Sequence, residues 1–162
     1  MTLIISDASP LHYLALIGQA HILPALYGRV IVPLRVFDEL QRPNTPETVK
    51  AFVQSRPAWL EIQSISTRID ESLLHLDRGE QEAITLAIEI KADTLLIDET
   101  KGRRAAKERG LITVGTLAAL LEAARADLCN LEDSFILLKQ TNFRATEKLY
   151  QYFLDLYGKE KM

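Results

Sequence analysis

At 162 residues and 18.3 kDa, with 48% apolar and 25% charged residues, the chain has a globular composition and the length of one domain with a real core. A net charge of −3 and a pI near 5.7 speak against a simple basic nucleic-acid binder, and a single cysteine, Cys129, excludes an intramolecular disulfide and suits a reducing cytoplasm. No apolar run approaches the ~18 residues of a membrane span, and the N-terminus lacks the basic region and cleavage site of a secretory leader, so a soluble, cytoplasmic protein is expected.

The first predicted element is the apolar run Leu3-Ile4-Ile5, which leads through Ser6 into Asp7. A helical pattern follows over about 9 to 27, broken near Gly18. Val30-Ile31-Val32 is a second strand, ended by Pro33, and helices follow over 34 to 41 and 46 to 55. Residues 60 to 65 alternate with period two as a third strand, which Trp59 opens as an expected core residue. A helical pattern over 70 to 91 precedes a fourth strand, Thr94 to Ile97, which ends on Asp98. After a helix over 101 to 109, the fifth strand, Leu111 to Val114, ends on Gly115, and a helix over 116 to 126 follows. Two more helices, 131 to 139 and 145 to 157, complete the pattern. The last carries an apolar stripe at Leu149, Tyr150, Phe153, Leu154 and Tyr157, predicted to pack on the domain or to build a homodimer. Strands alternating with helices predict an α/β fold with a mostly parallel sheet covered on both faces. The chain reads as a single domain, 1–162, with a core over about 3–125 and a helical extension over about 131–158.

Ligands of open parallel sheets bind beyond the carboxyl ends of the strands. Asp7 and Asp98 finish two predicted strands there, in the position where an Asp also serves as a helix N-cap. Glu39 lies near the edge of the apolar face of the 34–41 helix. In "LDRGEQEAITLAIE", Gly79 interrupts the chain and Glu80 and Glu82 open a helix, where acids also interact favourably with the helix dipole. Folding gives no reason to crowd carboxylates into one crevice, since like charges there repel. An oxygen-only donor set suits Mg²⁺ or Mn²⁺ over Zn²⁺, and such an ion activates water and neutralises charge at a scissile phosphodiester. His12, His21 and His75 share no metal-ligand spacing and read as ordinary helix residues. No Gly-rich phosphate loop follows a strand.

The order "DASP" after the first strand, V-x-x-E in the next helix, "GEQEAI" and "LLIDE" resembles the PIN-domain nucleases, most of all the compact prokaryotic branch related to VapC-like toxins. The likeness covers about residues 3 to 125 and resides in order and spacing. It implies a PIN-like three-layer fold with about five strands, RNA cleavage with Mg²⁺ or Mn²⁺, and a small antitoxin partner. It implies Asp7, Glu39, an acid of the "GEQE" turn and Asp98 as metal ligands and catalytic residues. Spacing back from Asp98 favours Glu80, while the two-glutamate pattern of related flap-type nucleases keeps Glu82 in the set. Ser9 matches a hydroxyl that lines such sites, and Arg103 is a candidate phosphate contact. Setting five ligands aside from the 22 acids leaves 17 against 19 Lys and Arg. Arg29, Arg35, Arg42, Lys101, Arg103, Arg104 and Lys107 are then expected to border the crevice and hold RNA phosphates. No aromatic-rich platform for a single strand is visible in the sequence. The competing expectation is a catalytically inactive PIN-fold interaction module.

Overall fold

The computed structural model describes residues 2–161. Its centre is a five-stranded parallel sheet: β1 (Ile4–Ser6), β2 (Val30–Pro33), β3 (Leu60–Gln63), β4 (Thr94–Leu96) and β5 (Ile112–Val114), in the order β3-β2-β1-β4-β5. The helices are α1 (Ala8–Leu16), α2 (Ile22–Tyr27), α3 (Leu34–Glu39), α4 (Glu47–Gln54), α5 (Arg78–Glu89), α6 (Thr100–Glu108), α7 (Thr116–Arg125), α8 (Leu131–Lys139) and α9 (Glu147–Lys161).

The pleat sends successive strand residues to opposite faces, and the two cores follow from that alternation. Ile4, Val30, Val32 and Leu96 enter the larger core with α1, α4, α7 and α8, while Ile5, Ile31, Leu95 and Ile97 enter the smaller core with α5 and α6. Both faces are therefore covered, as nearly uninterrupted apolar strands require.

The structure departs from the sequence pattern in three places. The third strand stops at Gln63, and Trp59, just before it, is only partly buried, with its ring tilted on Phe52 at 5.8 Å. The 70–91 pattern divides into a 3-10 turn at Glu71–Leu73 and α5 from Arg78. Two caps divide it: Asp70 accepts from the Ser72 N–H, and Asp77 accepts from the Glu80 N–H, each at 2.8 Å. The last helix starts at Glu147 and runs to Lys161. The interruption at Gly18 is as expected, with a left-handed φ of +75° that favours glycine.

Tyr150, Phe153, Leu154 and Tyr157 of the α9 stripe pack on the domain, while Leu149 stays exposed. Tyr150 is 3% exposed, meets Phe135 edge-on at 5.1 Å and joins the larger core, and the Tyr157 hydroxyl donates to the Ala124 carbonyl at 3.3 Å. Among the described residues, no helix is long and apolar enough to cross a membrane.

Candidate active site

β1 lies between β2 and β4, so the strand order reverses there and a crevice opens beyond the carboxyl ends of β1 and β4. Ser6 pairs with Leu96, which places Asp7 and Asp98 one and two residues past that pair on adjacent strands. The Asp7 N–H donates to the Leu96 carbonyl at 2.9 Å and extends the ladder into the crevice. Asp7, Glu39, Glu80 and Asp98 line one cavity of about 760 Å³, together with Ser9. Four of the five acids singled out in the sequence thus come together from four different elements.

Asp7 occupies the N-cap position of α1, yet its side chain makes no capping hydrogen bond. It is 6% exposed. Burial raises its pKa well above the usual carboxylate value; a hydrogen bond from the Ala8 backbone opposes the rise, and repulsion from Asp77, Glu80 and Glu39 adds to it. Glu80 is 4% exposed. Its Oε1 accepts from the Asp77 N–H at 3.3 Å, completing a capping box, whereas its buried Oε2 has no hydrogen-bond partner among the described residues. Capping accounts for one oxygen and leaves the other. Burial first, and then Asp77, push the Glu80 carboxyl up to about 7. Glu39, the last residue of α3, is also raised by burial and by Asp77, with Arg42 and Arg35 opposing.

Asp98 is held differently. Its Oδ2 accepts from Ser9 Oγ at 2.5 Å and Thr116 Oγ1 at 2.7 Å, and its Oδ1 accepts from the Thr116 N–H at 2.7 Å. Ser9 therefore orients an acid, and α7 donates its first N–H to the same group.

Three glycines make room for three of these acids. A Cβ would stand 2.6 Å from Glu39 Oε2 at Gly79, 2.6 Å from Glu80 Oε2 at Gly102, and 3.1 Å from Asp98 Oδ1 at Gly115. Each acid packs on backbone that a larger residue would cover.

Not every expected residue enters the cavity. The Glu82 carboxylate lies 3.5 Å from Arg35 Nε and is not part of the cavity lining. Arg103 lines an adjoining groove with Arg104 and Lys107, which Thr100 shares with the cavity, while Lys101 lines the cavity itself. Arg29 does not border the crevice: it precedes β2 at the amino ends of the strands and pairs with Glu61. Conversely, Asp77, His12 and His75, which carry no site signal in the sequence pattern, line the cavity, as does Glu99, the acid that follows Asp98 at the end of the fourth strand. A cap signal at Asp77, three residues before Glu80, was present in the sequence. The loop 142–144 also lines the cavity, placed there by α8 and α9, and it carried no sequence signal.

Among the described residues, no three His, Cys, Asp or Glu side chains converge closely enough to hold one ion directly. Mg²⁺ is compatible with that arrangement, because it keeps several waters and is commonly bound through one or two carboxylates. The carboxylate oxygens of the four acids, among them the unpartnered Glu80 Oε2 and the buried Asp7, fit such an ion. Among the described residues neither Asp7 nor Glu80 forms a salt bridge that would take its place.

The family model described as DUF3368, a PIN domain, matches residues 3–159. A solved structure similar to this chain is a PilT N-terminus domain protein from the hyperthermophilic archaeon Sulfolobus solfataricus P2. It is 13% identical, with a TM-score of 0.45, over 90% of this chain and 100% of that one. Among curated proteins none matches the chain.

Proposed function

This chain belongs to the PIN-domain family, and we propose that it is a Mg²⁺- or Mn²⁺-dependent endoribonuclease. The observation that carries the reading is the cavity itself. Asp7, Glu39, Glu80 and Asp98 reach it from four elements, and among the described residues two of them, Asp7 and Glu80, are buried without a cationic partner. Repulsion among such groups costs stability in the absence of a ligand that binds them.

Asp7, Glu39, Glu80 and Asp98 would hold the ion, directly or through its waters. When bound, the ion supplies charge neutralisation at the scissile phosphate and a more acidic water. Ser9 and Thr116 keep the Asp98 carboxylate in one orientation, so that no rotamer search precedes binding. Burial keeps bulk water from Asp7. Lys101 in the cavity, with Arg103, Arg104 and Lys107 in the adjoining groove, supplies positive charge for flanking phosphates. Hydrolysis adds water across the P–O3′ bond, leaving a 3′-hydroxyl and a 5′-phosphate. No side chain is called on to form a covalent intermediate.

The same reading makes the protein the cytoplasmic toxin of a toxin–antitoxin pair. Its small antitoxin would block the cavity, and a homodimer would form over the exposed Leu149 and Tyr152 of α9. A short open reading frame beside the gene, whose product suppresses toxicity on co-expression, supports the pairing, and size-exclusion chromatography with light scattering measures the dimer.

Incubation of the pure protein with mixed RNAs in Mn²⁺ or EDTA tests the activity. Metal-dependent cuts are expected. Their absence at large protein excess would replace the enzyme with the interaction module.

A further inference from the structure

Three rings brought together from distant parts of the chain line the acidic cavity. His12 and Tyr13 occupy consecutive positions of α1, with centroids 4.6 Å apart and planes tilted by 59°. Phe143, in the loop between α8 and α9, meets Tyr13 edge-on at 4.9 Å and 79°. All three are partly buried and share the cavity with Asp7 and Asp98.

The loop is pinned in place. The Tyr13 hydroxyl donates to Asn142 Oδ1 at 2.8 Å, the Phe143 N–H donates to Thr141 Oγ1 at 3.1 Å, and the Thr141 hydroxyl donates to the Leu138 carbonyl at 2.6 Å. Tyr13 and Phe143 also pack on the larger core, which accounts for their inner edges. Core packing does not account for Lys101 and Arg144, both exposed and both in the same cavity wall.

Flat rings, cations and acids in one cavity match the parts of a nucleotide: a base with two π faces and a phosphate on each side. An edge-to-face pair covers one face of one ring and leaves the others free of that contact, and stacking on such a face tolerates any base. Bases inside an A-form duplex are already stacked and cannot reach such rings.

We propose that His12, Tyr13 and Phe143 form a stacking site for one unpaired base of single-stranded RNA, with Lys101 and Arg144 contacting its backbone phosphates. The stacked nucleotide flanks the phosphate brought to the acids. The site rests on the ribonuclease reading for its ligand, while its occupation requires no cleavage.

The test is fluorescence anisotropy of a dye-labelled RNA hexamer and of the corresponding duplex, at low salt in EDTA, with the full chain. The wild type should bind the single strand more tightly than the duplex. Phe143→Leu keeps apolar bulk against Tyr13 but loses the π face, so binding should weaken about 5- to 150-fold. Phe143→Trp should retain binding. Arg144→Gln, at an exposed side chain, should weaken binding and lower its salt dependence by about one charge. Melting curves of each variant establish that the fold is intact, and a poorly folded Phe143→Leu leaves the Trp and Gln variants to decide. Wild-type binding that is absent or no tighter to single strand than to duplex, or unchanged in both Phe143→Leu and Arg144→Gln, overturns the site. Mn²⁺-dependent cleavage is scored separately: cuts with unaltered variant binding sink the stacking site alone, and stacking without cuts sinks the nuclease alone.

Discussion

Gly79 lies against the end of Glu39: a Cβ at Gly79 would stand 2.6 Å from Glu39 Oε2 and 3.0 Å from Oε1. Gly79 is in the first turn of α5 and Glu39 ends α3, so this contact fixes how close an acid of one helix comes to the start of another. Replacing a helical glycine with alanine favours folding by up to about 1 kcal/mol. Gly79→Ala should therefore melt at or above the wild-type temperature while pushing the Glu39 carboxylate aside. Displacing a site group by about 1 Å can cost about 10²-fold in rate, and that loss is expected in Mn²⁺-dependent cleavage. Combining Gly79→Ala with Glu39→Gln should cost little more than either change alone. Additive losses would show that Gly79 acts elsewhere.

Asp7 stands where an N-cap stands but makes no capping bond, so Asp7→Asn separates folding from function. Metal-free Asp7→Asn should melt no lower than wild type, because one member of a repelling group loses its charge. Cleavage should fall by orders of magnitude. Mn²⁺ should raise the wild-type melting temperature by mass action and raise that of the variant less. Equal shifts in the two proteins would return Asp7 to a purely structural role.

Glu80 predicts a pH dependence. Its ordinary pKa is 4.5 and its folded value is about 7, so the native chain keeps this proton where the unfolded chain has lost it. Stability from this group is fully present below about 4.5 and is lost as pH rises through about 7, with a slope of at most about 1.4 kcal/mol per pH unit. Asp7 and Glu39, also raised, act in the same direction. Glu89, lowered by hydrogen bonds despite an opposing burial effect, acts the other way only at more acid pH, as do Asp70 and Glu160, each lowered by hydrogen bonds. His12, lowered by burial, opposes the trend within the same window, as one imidazole against three raised carboxyls. Metal-free protein should thus melt higher at pH 5.5 than at pH 7.5, and Glu80→Gln should flatten that difference. A wild-type melting temperature that rises steadily from pH 5.5 to 7.5 would contradict it.

Tyr150 tests what α9 contributes. Its ring is buried against Phe135, with Lys139 Nζ 4.8 Å from the ring centroid, while its buried hydroxyl has no partner among the described residues. Tyr150→Ala should cost about 3 kcal/mol or more, as large aromatic truncations do. Tyr150→Phe removes an unsatisfied polar group and should cost nothing, with a gain of up to about 1 kcal/mol. Urea unfolding of both variants measures the pair.

These residues also show what could be read from the sequence. β1 and β4 were legible because each is a short apolar run ending on an acid, and a parallel sheet places such ends on one rim. Glu39 was legible from the apolar periodicity of its helix, and Glu80 from the break at Gly79 together with the spacing back from Asp98 that the resemblance implies. Asp77 is hidden in the sequence because the 70–91 pattern runs on as one helix and masks the cap that starts α5. The Tyr13–Phe143 contact spans 130 positions and leaves no periodicity to detect. Arg29 was misplaced because proximity to a strand does not say which end of it a residue occupies.

The two glutamates of the "GEQE" turn make the last prediction. They are two positions apart on α5, so the helix turns them about 200° away from each other. Glu80 points into the cavity with one oxygen unpartnered, and Glu82 lies outside it with its carboxylate 3.5 Å from Arg35. A partly exposed pair of this kind contributes about 0 to 1 kcal/mol, so Glu82→Gln should cost no more than about 1 kcal/mol of stability and should leave cleavage near the wild-type rate. Glu80→Gln keeps a side chain able to accept from Asp77 but removes the charge beside Gly102, and both cleavage and the Mn²⁺-induced melting shift should collapse. The reverse ranking, with Glu82→Gln the more damaging, would mean that binding of metal or RNA rotates α5 and that Glu82 is the third ligand.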